Sequence, residues 1–400
     1  MRVTILHPDL GIGGAERLIV DAAVALQNKG HQVRVVTNQF DRSHAFKETE
    51  QLEISSVLQW FPRSLFGKMH ALFAYFKMIV AAFYIAFFYS SDVILSDQVS
   101  ASLIVLKYLT SARLIFYCHF PDMLLTKRET AAKSIYRYVL DKFEEYTTSL
   151  ADVICVNSKF TASIVRNTFK SLKNRELTVI YPSLNTEFFD SIESCDLSSI
   201  IPPGIQYVFT SLNRFERKKN IILAIEAFAK LREDLSQEEF SRCHLVIAGG
   251  YDKNNAENLE YFDECVQSSN ELKIPIDQIR FITSPSDEKK ISLIRRSRAV
   301  LYTPDREHFG IVPVEAMYLG APVIAVNSGG PMESVENETT GFLVDQTPEE
   351  FALKMLELIK SEHKYNYMSK EGPKRVNRLF GFAAFTKKFD AIVRGENVDN

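Results

Sequence analysis

Arg2-Val-Thr-Ile-Leu-His-Pro-Asp-Leu-Gly-Ile-Gly-Gly-Ala-Glu16 opens the chain with a short apolar run, a glycine-rich turn and the start of a helix. Val3-Thr-Ile-Leu6 reads as a strand and Gly11-Ile-Gly-Gly14 as the turn. Ala15 to Lys29 has the spacing of an amphipathic helix, Gly30 ends it, and His31 to Thr37 gives the next strand. Further strands are expected at Asp92–Ser96, Arg113–His119 and Asp152–Asn157, separated by helical stretches. Such alternation implies a parallel sheet with helices on both faces. Near residue 185 the pattern lapses into Ser-, Asp- and Pro-rich sequence ending Ile201-Pro-Pro-Gly204, so 186–205 is the linker candidate. A second strand–helix series starts at Gln206-Tyr-Val-Phe-Thr-Ser-Leu212 and continues through His244–Ala248, Gln278–Ile282, Ala299–Thr303, Ala321–Val326 and Gly341–Val344. The expected fold class is therefore α/β, with two doubly wound parallel-sheet domains at 1–185 and 206–369. A last helical stretch within 370–400 is expected to pack back on the first domain.

Four hundred residues suit two such domains. Hydrophobic content of 46% and charged content of 24% are those of a globular protein, which excludes a disordered chain. The five cysteines are few and widely spaced, with no CxxC pair or Cys/His cluster, so free thiols in a reducing compartment are expected and no metal site. The first apolar run is too short for a secretory leader and is interrupted by His7 and Pro8. Residues 1–185 carry 21 Lys/Arg against 16 Asp/Glu, a mild excess compatible with an anionic lipid or membrane surface and equally with an ordinary domain. No Lys/Arg stripe interleaves with aromatics, which argues against nucleic acid.

Ala71 to Tyr89, within a hydrophobic stretch 65–89, has Lys77 as its only charge. Nineteen residues at about 1.5 Å each nearly cross a hydrocarbon core of about 30 Å. A central lysine costs about 2.5–3.5 kcal/mol there. Three readings stay open: a membrane-docking helix lying in the interface, with Arg63, Phe66 and Lys68 at the headgroups; a buried or partner-covered helix; and a span.

The chemistry concentrates in the second half. Pro304-Asp-Arg-Glu307-His-Phe309-Gly310-Ile311-Val312-Pro313-Val-Glu315 follows an expected strand. Gly310 permits a tight turn, and Pro313 suits the first position of a helix. Glu315 then falls in the first turn and Glu307 in the loop before it. Between them the backbone N–H groups of Phe309, Gly310, Ile311 and Val312 are placed to bind a diphosphate, while a carboxylate can accept both hydroxyls of a ribose. Glu315 could equally complement the helix dipole. Ser211-Leu-Asn-Arg214-Phe-Glu-Arg-Lys-Lys219-Asn220 likewise follows a strand; Arg214 can fork onto phosphate oxygens and Lys219 adds a second cation. Four cations at 214, 217, 218 and 219 would repel one another without an anion, though a solvated loop could tolerate them. Ser328-Gly-Gly330-Pro331 is a third turn at a strand end, and all three belong to one crevice.

In this order, the Gly13-Gly14-Ala-Glu16 turn, Arg214/Lys219, Glu307-x7-Glu315 and the Gly329-Gly330 turn resemble the retaining glycosyltransferases of family 4, across nearly the whole chain. The resemblance implies the GT-B architecture: two Rossmann-like domains facing a central cleft. It implies that Arg214 and Lys219 neutralise the donor diphosphate, that Glu307 lies near the transferred sugar, and that Glu315 binds the ribose. Gly13 and Gly14 would let the first-domain loop approach donor and acceptor. The family often places a histidine where His119 ends Phe116-Tyr-Cys-His119, against the transferred sugar; a lone histidine after an apolar strand is otherwise usually a core residue. Lys219-Asn220 departs from the family's frequent Lys-Gly.

Leu6-His-Pro-Asp-Leu-Gly-Ile-Gly-Gly-Ala-Glu-Arg17, Tyr117-Cys-His-Phe-Pro-Asp122, Val156-Asn-Ser-Lys-Phe-Thr161 and Tyr302-Thr-Pro-Asp-Arg-Glu-His-Phe-Gly-Ile-Val-Pro313 are similar to the eukaryotic dolichol-pathway mannosyltransferases. That likeness implies GDP-mannose as donor substrate and a mono-mannosylated, dolichol-diphosphate-linked oligosaccharide as acceptor, extended by α-1,3 and α-1,6 mannose. It also implies work at the cytoplasmic face of the endoplasmic reticulum membrane, in a complex with other enzymes of that pathway. No separate cofactor is required; divalent-cation dependence is left open. The competing readings are a family 4 transferase using another nucleotide sugar or a phosphoinositol lipid, a membrane-bound sugar-nucleotide sensor, and a dinucleotide-dependent dehydrogenase. The last is disfavoured because Glu16 stands where the third glycine of GxGxxG belongs.

Overall fold

The structure, a computed structural model, describes residues 1–62, 69–124 and 131–397. It divides into two compact units: Met1–Ser183 together with Phe382–Asn400, and Leu184–Gly381.

The first unit holds strands β1 (Arg2–His7), β2 (Gln32–Thr37), β3 (Glu53–Ser56), β4 (Val93–Asp97), β5 (Arg113–Cys118), β6 (Val153–Val156) and β7 (Thr178–Val179). They form one parallel sheet in the order β3-β2-β1-β4-β5-β6-β7. Val3 pairs with Val33 on one side and with Val93 on the other. All five residues of β4 are buried, as a strand covered on both faces must be. One face packs Ile5, Leu26, Leu95 and Ile115 against the helix Gly14–Asn28. Leu6, Ile94, Leu114 and Phe116 line the opposite face.

The second unit holds β8 (Tyr207–Leu212), β9 (Cys243–Gly249), β10 (Ile279–Thr283), β11 (Ala299–Tyr302), β12 (Val323–Val326) and β13 (Gly341–Val344), in the order β10-β9-β8-β11-β12-β13, again all parallel. Its core runs through Phe209, Phe228, Leu245, Leu301, Ile324, Phe342 and Phe351. The strand order reverses between β1 and β4 in one unit and between β8 and β11 in the other. In open α/β sheets ligands bind beyond the carboxyl ends of the strands at such a reversal. The two reversals therefore say where to look.

Several expectations shift in detail. Residues 184–205 belong to the second unit and include the helix Thr186–Ser191. Arg295 donates to the carbonyls of Phe189 and Ile192, which ties the segment down despite its polar composition. The final stretch is two helices. Glu362–Leu379 stays with the second unit, and Phe382–Arg394 belongs to the first. There Phe389 stacks on Tyr117 at 6.4 Å, and His31 Nε2 lies 2.7 Å from Asp390 Oδ1.

The helix His70–Phe88 is long and apolar enough to cross a membrane, yet a third of its most apolar window is buried. Tyr75, Met78, Ala81, Ala82 and Ile85 recur at helical spacing on one face and pack into the first unit. Lys77 is buried, with its Nζ 3.4 Å from the carbonyl of Phe61. Leu72, Phe76, Phe83, Phe87 and Phe88 are exposed, Phe87 at 73%. Arg63, Phe66 and Lys68, expected at headgroups, lie outside the described residues.

Candidate active site

In the second unit, β8 ends at Leu212 and runs into a loop that finishes as a 3-10 turn, Arg217–Lys219. Asn220 follows at φ 47°, ψ 47°, the left-handed region, and starts the helix Ile221–Leu231. Asparagine is the residue other than glycine that visits this region most readily. The departure from Lys-Gly therefore keeps the same backbone, and with it the placement of Lys219.

Across the strand reversal, β11 ends at Tyr302 and delivers the loop carrying Glu307. Lys219 Nζ and a Glu307 carboxylate oxygen form an ion pair and hydrogen bond. Thr303 Oγ1 donates to the Lys219 carbonyl at 2.8 Å, joining the two loops a second time. Burial pushes the Glu307 carboxyl up, but the Lys219 ammonium outweighs it and holds the carboxyl below its ordinary value. Glu307 is thus ionised at neutral pH. Tyr302 lies beneath, its phenol driven up by burial and by the neighbouring Glu307 carboxylate, so it stays a neutral hydroxyl.

The Glu307 loop rests on the third glycine turn, backbone against backbone. Gly330 N donates to the Glu307 carbonyl at 2.8 Å, and Arg306 N donates to Ser328 Oγ at 2.9 Å. A Cβ on Gly330 would overlap the Phe309 backbone; one on Gly329, which sits at φ 65°, would overlap the Glu307 backbone. These glycines thus set where Glu307 and Phe309 lie.

The helix Ile311–Tyr318 begins two residues before Pro313, so Glu315 lies one turn in rather than in the first turn. Proline is tolerated because residues this early have no carbonyl four residues back. Gly310, at φ 77°, supplies no side-chain cap to the first amides. Glu315 is buried, which raises its carboxyl, and it meets Lys290 Nζ at 3.1 Å, which opposes that rise. Lys290, on the helix Asp287–Arg296, carries no sequence signal that sets it apart from Lys289.

The four cations of the loop after β8 do not repel one another unrelieved. Arg214 pairs with Glu216 at 2.9 Å and Lys218 with the same carboxylate at 3.0 Å. Arg217 turns away to Glu260 and Glu264 on the helix Ala256–Glu271. Glu216 within the loop and Glu260, Glu264 and Glu307 from neighbouring elements relieve the repulsion. Arg214 nevertheless remains 62% exposed at the side chain and accessible to a ligand.

In the first unit, three strand ends meet at the reversal. His7 closes β1, Asp97 closes β4, and His119 follows β5. His7 Nδ1 lies 2.8 Å from one Asp97 oxygen and His119 Nε2 2.9 Å from the other. His7 Nε2 lies 3.9 Å from Glu16 Oε1. Gly13 caps the helix Gly14–Asn28, and the Glu16 carboxylate folds over it, while nothing stands within 4 Å of the space a Gly14 side chain would fill. His119 and Gly13/Gly14 therefore belong to the first unit, and Arg214, Lys219, Glu307, Phe309–Val312 and Glu315 to the second. His7 and Asp97 were missed; the signal was an aspartate ending the strand run Val93-Ile-Leu-Ser-Asp97.

The buried trio carries a pH signature. Burial works against charge on His7, but bonds to Asp97 and Glu16 outweigh it and raise the imidazole to about 9. Burial likewise opposes charge on Asp97, and His119 and His7 hold it at about 2. His7 stabilises the fold in full below its ordinary 6.5, and that contribution fades as pH rises through about 9. The Asp97 contribution is present above 3.8 and is lost as pH falls through about 2. Melting curves from pH 6 to 9.5 should fall more steeply for the wild type than for His7→Gln; parallel curves would contradict this assignment.

Comparison with known proteins decides the family. Residues 12–188 match the family model described as Glycosyltransferase Family 4, and residues 200–375 that of Glycosyl transferases group 1. The chain is 44% identical to the alpha-1,3/1,6-mannosyltransferase ALG2 of Homo sapiens, over 96% of this chain and 94% of that one. It is 38% identical to the Saccharomyces cerevisiae protein of the same name, over 98% of this chain and 84% of that one. The chain belongs to the ALG2 mannosyltransferase family. Membership makes it a hexosyltransferase of N-glycan precursor assembly. The fold agrees with GT-B: a sucrose-phosphate synthase from Thermosynechococcus elongatus superposes with a TM-score of 0.76 at 20% identity, each chain covered to 98%. Anabaena HepE in complex with UDP gives 0.71 at 18% identity, over 99% of this chain and 100% of that one.

Within this ALG2-family chain, Gly14→Ala separates packing from ligand approach. The site has room, and alanine is favoured over glycine in helices by up to about 1 kcal/mol. Its melting temperature should hold or rise slightly while mannose transfer falls at least tenfold. Unchanged kinetics would remove Gly14 from the site.

Proposed function

We propose that this chain transfers mannose from GDP-mannose to a mono-mannosylated chitobiosyl-diphosphodolichol, adding the α-1,3- and α-1,6-linked residues. The observation that carries the reading is the Lys219–Glu307 pair at the strand reversal of the second unit, in a chain of this family. Arg214 and Lys219 take the diphosphate, and the amides of Phe309, Gly310, Ile311 and Val312 add fixed dipoles at a helix N-terminus. Glu315, steadied by Lys290, accepts the ribose hydroxyls. Glu307 receives a mannose hydroxyl, His119 faces the transferred sugar, and Gly13 and Gly14 admit donor and acceptor.

In the transfer, the acceptor hydroxyl oxygen bonds to mannose C1 on the face the diphosphate leaves. The C1–O bond to phosphate breaks, and its electron pair stays on the phosphate oxygen. The hydroxyl proton passes to a phosphate oxygen, and the configuration at C1 is retained. Charge growing on the departing phosphate is what Arg214, Lys219 and the amides are arranged to stabilise, and preorganised groups of this kind supply the largest catalytic term. Neutralisation by two side-chain cations makes a resident metal unnecessary to this scheme.

The acceptor is a lipid, and we place the exposed aromatic face of His70–Phe88 on the cytoplasmic leaflet of the endoplasmic reticulum. Rings of this type settle at the headgroup level. GDP should raise the melting temperature of the wild type and much less that of Arg214→Ala, and UDP should protect weakly. Equal protection by UDP would move the donor to another nucleotide sugar.

A further inference from the structure

His119 stands in the proposed function as the first-unit histidine facing the transferred sugar, and the inference here rests on that reading. Its ring does not stand alone. Asp97 is fully buried and lies between two imidazoles, with one oxygen 2.8 Å from His7 Nδ1 and the other 2.9 Å from His119 Nε2. The His7 ring hydrogen-bonds one carboxylate oxygen, while His119 Nε2 stands within ion-pair distance of the other without hydrogen-bond alignment, and among the described residues no group of three or more His, Cys, Asp or Glu is disposed to hold a metal. His7 is fully buried and cannot reach a substrate; His119 keeps 25% of its side chain exposed. The Tyr117 ring lies 4.8 Å from that of His119, and its hydroxyl is used by the Ile180 carbonyl at 2.8 Å. Glu16 lies on the far side of His7, 3.9 Å from its Nε2.

We propose that Asp97 and His7 are positioning residues for mannose transfer: the Asp97 carboxylate, 2.9 Å from Nε2 of His119, keeps the ring proton on that nitrogen, which leaves Nδ1 as the nitrogen that meets a hydroxyl of the sugar. His7, gripping the opposite oxygen, fixes the carboxylate plane and so the angle of the His119 ring. A ligand-facing imidazole whose other nitrogen is held by a buried carboxylate has its tautomer and its direction set before substrate arrives. Three consecutive features of the sheet build the device. The carboxyl ends of β1, β4 and β5 are neighbours in the strand order, so residues ending each strand converge. Burial opposes ionisation of both partners, yet His7 is held at about 9 by Asp97 and Glu16, and Asp97 at about 2, so an imidazolium faces a carboxylate at neutral pH.

A double-mutant cycle tests this. His119→Ala should lower kcat by about 100-fold, the lower range for a positioned proton-transferring or hydrogen-bonding group. Asp97→Asn should lose a comparable factor in kcat with little change in the KM for GDP-mannose. Asp97→Asn/His119→Ala together should lose no more than His119→Ala alone, because residues acting as a unit are not additive. Multiplying losses in the double variant would overturn the positioning role. Near-normal turnover in His119→Ala would instead remove His119 from the reaction, which is failure of the underlying reading. Should Asp97→Asn not fold, nitrogen-15 spectra of histidine-labelled wild type still decide: Nε2 of His119 protonated is the expected result, and a bare Nε2 overturns the proposal.

Discussion

Lys219→Ala is expected to reduce mannose transfer by about 100- to 1000-fold, the loss seen when one fixed donor to a developing oxyanion is removed. The effect has two parts that can be separated. The ammonium, proposed to meet the leaving diphosphate, is buried to all but 12% of its side chain and joined to the Glu307 loop. Its removal also strands a mostly buried carboxylate, which costs stability because a desolvated charge is left without its partner. Lys219→Ala/Glu307→Gln should recover the melting temperature lost in Lys219→Ala while remaining inactive. Recovery of transfer along with stability would show that Lys219 serves the fold and not the diphosphate.

Gly330→Ala should damage both the fold and the loop that places Glu307. The added Cβ would overlap the Phe309 carbonyl, Cα and carbonyl carbon, all backbone atoms with no rotamer to yield. Relief must come from moving the loop 306–310, which places Glu307 and opens the helix at Ile311. Overpacking of this kind typically costs about 1–3 kcal/mol. A shift of about 1 Å at a reacting centre is enough for about a 100-fold loss in rate. Thermal unfolding and steady-state transfer measured together should therefore both fall. Gly14→Ala is the control for stability alone, since its methyl meets open space. Wild-type kinetics in Gly330→Ala would mean the glycine turn does not govern the site.

The fold was legible because a parallel sheet writes itself as buried apolar runs separated by helices. The β1 turn and helix, β5, β8 and β13 all fall within a residue or two of their expected bounds. What escaped were elements with little burial to record. Strand β3, Glu-Ile-Ser-Ser, is an edge strand with exposed ends, and β7 has only two residues. The 186–205 segment looked like a linker because its composition is polar, but its hold on Arg295 runs through carbonyls, which composition does not show. Arg214, Lys219, Glu307 and Glu315 were visible as residue types in turns after strands. Their partners were not. Glu216 and Lys290 are ordinary surface charges until folding brings them to Arg214 and Glu315, and no one-dimensional spacing encodes that meeting. Asp97 was missed as well, although a carboxylate ending a strand whose five residues are all buried needs a partner.

What the enzyme makes is the most direct test of its assignment. Full-length protein, presented with GDP-mannose and a mono-mannosylated chitobiosyl-pyrophosphoryl lipid on vesicles, should yield a product longer by two mannoses. Linkage-specific mannosidases should read one as α-1,3 and the other as α-1,6, and Lys219→Ala should yield neither. No extension of that lipid, with GDP bound and the protein folded, would contradict the assignment.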